Sequence, residues 1–295
     1  MRIGLFVSTG AATLKAMTDQ VKAAADAGLD SAYFTQLVSW DSLTVAALSA
    51  QFDIDLGTAV VATYPRHPLA LAGQALTVQA ATGGRLTLGV GPSHPQVIEG
   101  QYGLSYERPA RHTREYLSAL MPLLRGEQVD FRGETLSANG QLPIDVEPPS
   151  VLLSALGPAM LRIAGELADG TVTVWTGPAG IADHVRPTLT RAAAGRPDPR
   201  IVSVVLASVT ADPDGAREQV AAALGAASDL PSYRALLDRQ GLASVADLLV
   251  AGDESTVAKT LREYADAGAT EILVSRFGSA EDQARTLALL SSLRG

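Results

Sequence analysis

Short apolar blocks alternate with longer stretches of helical periodicity along nearly the whole chain. The apolar blocks predict eight strands, at residues 2–7, 31–35, 54–61, 86–90, 151–154, 171–175, 201–209 and 271–275. Helices are predicted between them at 13–27, 42–50, 69–81, 158–167 and 280–293. Gly28 stops the first of these from the position just beyond a helix end. Residues 215–267 read as several helical pieces broken at Pro231 and Gly252. The alternation is interrupted once, from 94 to 149, by an excursion holding a helix around 108–124 and a hairpin over 128–136 that turns at Gly133. Eight strands alternating with helices predict an α/β fold, a (β/α)8 barrel. A doubly wound open sheet shares the pattern, because periodicity does not show closure. No short repeat or low-complexity linker divides the chain, so the expectation is one domain over 1–295 with an insertion at about 94–149.

Composition narrows the function. The 295 residues are 47% hydrophobic and 18% charged, enough for a large core. A net charge of −8 with no run of Lys or Arg argues against a nucleic-acid partner. The absence of cysteine removes disulfides, thiolate metal sites and a Cys nucleophile. The opening MRIGLFVSTG is too short an apolar run for a signal peptide, and no apolar stretch approaches a membrane span. The expectation is a soluble cytoplasmic protein with no membrane partner.

In a barrel, chemistry collects where strands end and loops begin. Those ends carry Ser8 and Thr9, then Gln36 and Trp40, then Thr58, Ala59 and Val60. Later ends carry Gly91, Ser93 and His94, then Ser154 with Leu156-Gly157-Pro158, then Trp175 and Thr176, then Ser275 and Arg276. The set is short of carboxylates and lysines, which disfavours a metal hydrolase, an aldolase or a lyase. Small, hydroxylic and apolar ends suit an aromatic cofactor that brings its own reactivity. Gly157-Pro158 opens a helix with free amides that would attract a phosphate, and Gly91-Pro92-Ser93 offers a second group of backbone donors. Gly-Pro at a helix start also serves as plain punctuation. Other residues have structural readings: His67 caps its turn, Arg66 pairs with a carboxylate, and Trp175 belongs to the core. His112, beside Arg111 and Arg114, reads as a solvated helix face.

Four segments, GLDSAYFTQLVSW, LGTAVVATYPRHP, GGRLTLGVGPSHP and LSALGPAMLRIAGELADG, together resemble the luciferase-like flavin and deazaflavin oxidoreductases, in the branch using coenzyme F420. The resemblance implies a barrel of the bacterial luciferase-like type whose insertion after the fourth strand shields the site. It also implies a non-prolyl cis peptide behind the cofactor ring, at Ala59-Val60, with Thr58-Ala59 as the other register. Carried over by position, the cofactor would meet Thr58, Ala59, Val60, Gly91, Ser93, His94, Ser154, Ala155, Leu156, Gly157, Pro158 and Thr176. Substrate would lie over the ring near Gln36, Trp40 and Tyr64. Many deazaflavin members carry an acidic residue followed by His after the second strand, where this chain has Gln36-Leu37. Proton transfer would then fall to His94, Tyr64 or water. The activity implied is hydride transfer between C5 of coenzyme F420 and a small organic substrate, in a homodimer without metal. An FMN-dependent monooxygenase and a non-catalytic flavin-binding barrel are the alternatives.

Overall fold

The structure, a computed structural model, describes residues 1–7, 13–36 and 39–294. Ser8, Thr9 and Leu37 lie outside the described residues. β1 (Arg2–Val7), β2 (Ser31–Phe34) and β3 (Asp55–Thr58) are parallel, with Leu5 beside Ala32 and Ala32 beside Leu56. α1 (Leu14–Asp26) and α2 (Ser42–Leu48) link them, each opened by a side chain that takes an otherwise orphaned amide, Thr13 at Ala16 and Asp41 at Thr44.

The strand predicted at 54–61 divides in two. The Ala59-Val60 peptide bond is cis, and the chain resumes as β4 (Val61–Ala62), which pairs with β5 (Leu86–Gly91). Between them α3 (Pro68–Ala81) starts at His67, whose Nδ1 accepts from the Leu69 amide at 3.2 Å. Gly83 and Gly84, with φ of 63° and 89°, return the chain to the sheet. Arg85 then donates to the carbonyls of Ala50, Phe52, Ile54 and Thr82, gathering the ends of two helices around the start of β5.

Residues 92–149 form the insertion, with α4 (Pro95–Ile98), α5 (Pro109–Leu124) and an antiparallel hairpin of β6 (Val129–Arg132) and β7 (Ser137–Gly140). The hairpin runs four residues past its predicted end at 136, to Gly140. Glu115 of α5 holds its turn, accepting from the amides of Glu134 and Thr135 (3.1 and 2.8 Å) and from the Thr135 hydroxyl (2.6 Å). The remaining elements are β8 (Ser150–Ser154), α6 (Pro158–Leu167), β9 (Gly170–Val174), α7 (Pro178–Gly180), α8 (Arg186–Ala192), β10 (Arg200–Val209), α9 (Pro213–Leu224), α10 (Pro231–Arg239), β11 (Val250–Gly252), α11 (Glu254–Ala267), β12 (Glu271–Arg276) and α12 (Ala280–Ser292).

β10 pairs with both β9 and β12, and β12 pairs with β1, so β1-β2-β3-β5-β8-β9-β10-β12 closes into an eight-stranded parallel barrel. Closure rules out the open sheet. β11 falls within the stretch 215–267 read as helical pieces, and is instead a three-residue strand beside the end of β10. Tyr33, Leu152, Val172, Val202, Val204 and Leu273 fill the barrel, and the outward residues pack against the helices. The amino end is closed by polar groups. Arg200 donates to Glu271 (2.9 Å), Ser150 (2.9 Å), Tyr33 (3.1 Å) and Thr87 (3.2 Å), while Ser31 donates to the other Glu271 oxygen. Among the described residues no helix is long and apolar enough to cross a membrane.

Candidate functional site

A cavity of about 420 Å³ opens at the carboxyl ends of the strands. Its floor is Phe6, Val172, Val174 and Val204, and one side wall is Ala59, Val60 and Gly91. Gly91 leaves little room for a side chain there: a Cβ would stand 3.0 Å from Val60 Cγ2 and 3.1 Å from Ser154 Cβ, close enough that these side chains would have to give slightly. The opposite side is Ser154, Leu156, Gly157 and Met160, where α6 begins at Gly157 with no side chain on its first amides. Among the described residues no Asp, Glu, Lys or Arg lines the cavity. It therefore offers shape, backbone donors and a few neutral polar groups, and no charged acid or base.

His94 stands on this wall, half-buried, with Nε2 3.2 Å from the Tyr233 hydroxyl. Burial pushes its imidazole below the ordinary value, so the ring is neutral at pH 7. Burial also pushes the Tyr233 hydroxyl up to about 12, so it remains protonated. The Tyr233 ring in turn packs on Trp175, with centroids 4.2 Å apart. Tyr106 crosses from the insertion and donates to the Ser93 carbonyl at 2.8 Å. Ser93 itself takes the left-handed conformation, φ 63°, at the end of the small-residue loop.

The structure brings together Gln36, Ala59, Val60, Gly91, Ser93, His94, Ser154, Leu156 and Gly157 of the residues named from sequence. Others lie behind the wall. Thr58 is fully buried, and its hydroxyl both donates to and accepts from Gly89, pinning β3 to β5. Ala155 packs in the outer core, Pro158 is the first residue of α6, and Thr176 bonds Thr173 at 2.7 Å. Trp40 is exposed and off the wall. Tyr64 faces a second cavity of about 550 Å³ beneath the insertion, where its hydroxyl donates to the Glu107 carbonyl at 3.2 Å. Tyr106, Tyr233, Ser232 and Met160 line the first cavity without having been named. Their signal is long-range: Tyr233 reaches His94 from 139 residues away.

His112 is a correction. It is buried rather than solvated, because its ring stacks on Tyr64 at 3.8 Å and its Nε2 meets the Thr63 hydroxyl at 3.1 Å. Burial, partly opposed by Glu115, pushes its imidazole down to about 4. The unfolded chain has an ordinary histidine near 6.5, so between those values the unfolded state binds more protons. Stability from this group is complete above about pH 6.5 and falls as pH drops toward 4, by about 3 kcal/mol in all. His112→Gln keeps a polar partner for Thr63 and should flatten the pH dependence. Urea midpoints at pH 7.5 and 4.5 check this; an unchanged slope in the variant would refute it.

Comparison with known proteins now bears on this geometry. A family model described as luciferase-like monooxygenase matches residues 1–271. A relative in Mycobacterium tuberculosis, named as a coenzyme F420-dependent oxidoreductase, is 31% identical over 197 residues, covering 60% of this chain and 56% of that protein. The chain thus spans little more than half of that relative. The 5,10-methylenetetrahydromethanopterin reductase of Methanolobus tindarius is 28% identical over 238 residues, covering 78% of this chain and 72% of that protein. Among solved structures, an F420-dependent secondary alcohol dehydrogenase with an F420-acetone adduct superposes with a TM-score of 0.85. It covers 99% of this chain and 97% of its own at 18% identity, a likeness of fold.

Proposed function

Because this chain belongs to the luciferase-like monooxygenase family, we propose that it is a coenzyme F420-dependent oxidoreductase that moves a hydride between the deazaflavin C5 and a small organic substrate. The observation that carries the reading is the uncharged wall of the rim cavity, which leaves the redox chemistry to a bound cofactor. The residues present fit such a group. Ala59, Val60 and Gly91 form a small-residue face against which a flat ring system would lie, and no Cβ fills the space at Gly91. The free amides at the start of α6, with Gly157 in open space, would receive its phosphate. When bound, the deazaflavin supplies a two-electron carrier. The chain's own part is to exclude water with Val172, Val174, Val204 and Met160, and to hold the reacting carbons close. Neutral His94, paired with the Tyr233 hydroxyl, is the imidazole on the wall positioned to hold a proton near the site.

The test is titration of the purified protein with coenzyme F420 and, separately, with FMN, following ligand fluorescence. Tight deazaflavin binding with weak FMN binding is expected. A preference for FMN would move the chain to the FMN-dependent monooxygenases, and binding of neither would overturn the cofactor assignment.

A further inference from the structure

Arg276, one of the strand-end residues named from sequence, lines neither cavity. Six arginines among the described residues are half-buried: Arg66, Arg85, Arg200, Arg234, Arg276 and Arg285. Five of them have a carboxylate within 4.0 Å, in turn Asp41, Asp53, Glu271, Asp238 and, for Arg285, Glu254. Arg276 has none among the described residues, and the stretches 8–12 and 37–38 outside them contain no Asp or Glu. Its one hydrogen bond there runs from Nη1 to the Gln283 carbonyl of α12, at 3.2 Å. Burial pushes this guanidinium below its ordinary value with nothing opposing it, whereas at Arg200 burial is outweighed by Tyr33 and Glu271. A cation withdrawn from water is normally matched by an acid, and this one is unmatched.

We propose that Arg276 binds a small oxyanion, a phosphate or carboxylate group, at the carboxyl rim of the barrel and outside the cavity. A guanidinium offers its N–H donors in a planar fork that matches two oxygens of such a group. With Nη1 turned to Gln283, the Nε–Nη2 edge is the side left for a ligand. In the β10–β12 register Arg276 stands beside Ala207, whose side chain belongs to the outer core, so the anion approaches from the shoulder of the barrel. The next residue, Phe277, packs with Trp175 and Tyr233, so the site borders the wall that carries His94. A bound anion would relieve the unmatched charge, which the empty fold carries as a cost. The inference does not depend on the cofactor reading.

Thermal midpoints of the full chain are measured in chloride and then with rising inorganic phosphate or, separately, acetate, at fixed ionic strength and neutral pH. At least one of the two anions should raise the wild-type midpoint saturably, by about 2–4 °C more than it raises that of Arg276→Met. Comparing the two proteins removes the general stabilisation that phosphate gives any folded chain. In chloride alone Arg276→Met should melt at or above wild type, because the variant keeps the apolar stem and drops the unmatched charge. Arg276→Lys, which keeps the charge and loses the fork, should keep part of the anion response. Equal responses of wild type and Arg276→Met to both anions would overturn the proposal. So would an Arg276→Met protein that melts well below wild type in chloride, since that marks a guanidinium needed by the fold itself. Repeating the titration with coenzyme F420 present identifies the source of the anion. A response that disappears assigns Arg276 to an acid group of the coenzyme, and one that persists assigns it to a separate ligand; both outcomes support the site.

Discussion

Glu271→Ala should destabilise the protein by about 3–5 kcal/mol, read as a fall in the urea midpoint and about 5–8 °C in Tm. Glu271 is 1% exposed and sits where five barrel strands converge at their amino ends. Its two oxygens take Arg200 and Ser31, and Arg200 reaches on to Tyr33, Thr87 and Ser150, so β2, β5, β8, β10 and β12 share one polar knot. Without the carboxylate, Arg200, its side chain 29% exposed, keeps its charge partly withdrawn from water with only neutral oxygens left to it. The uncompensated cation, more than the lost attraction, sets the size of the effect. Replacing both partners, Arg200→Met with Glu271→Met, should therefore cost less than Glu271→Ala alone. A double variant weaker than the single one would show that the knot's attraction outweighs its desolvation. The rim cavity lies at the opposite end of the barrel, so affinity for the proposed cofactor at a temperature where the variant is folded should stay within about twofold of wild type, the additive behaviour of distant sites.

How much of this was legible in the sequence depends on the range of the interaction that decides each element. β1, β10 and β12 are continuous apolar runs and were placed within a residue or two, because burial on both faces leaves no other use for such a run. Arg66 and His67 were placed in their structural roles for a related reason: the turn they sit in is local, and so is the helix His67 caps. The third strand was overrun, since nothing in a run of Gly, Thr, Ala and Val marks where the ladder to β2 ends and pairing with β5 resumes. The small-residue wall was readable because it lies on loops that directly follow strands. Its facing side was not. Tyr233 and Ser232 sit on α10, in a region of weak amphipathic pieces, and what swings them over His94 is the packing of Trp175 and the Gln240 side chain on the end of β9. His112 failed for the same cause. Its neighbours in sequence are arginines, whereas its neighbours in space, Thr63 and Tyr64, are 49 and 48 residues away.

Gly91→Val should abolish coenzyme F420 binding, by at least about 100-fold, while leaving the protein folded. The backbone at Gly91 has an ordinary φ, and its carbonyl accepts from the Thr63 amide at 2.9 Å, neither of which a side chain disturbs. The obstruction is ahead of it. A Cβ would already be 3.0 Å from Val60 Cγ2 and 3.1 Å from Ser154 Cβ, and the two further methyl groups of valine would stand in the cavity between the Ala59-Val60 wall and the Ser154 loop. Gly89, two residues earlier on the same strand, is the control for the argument. A Cβ there would lie against the carbonyl of Thr58, a backbone atom of the residue whose hydroxyl pins β3 to β5, and it has nowhere to yield. Gly89→Ala should therefore lose stability, whereas Gly91→Val should lose ligand. Circular dichroism melts and F420 fluorescence titrations on the two variants separate these outcomes. A Gly91→Val protein that is folded and binds the deazaflavin as wild type does would place the cofactor somewhere other than this wall.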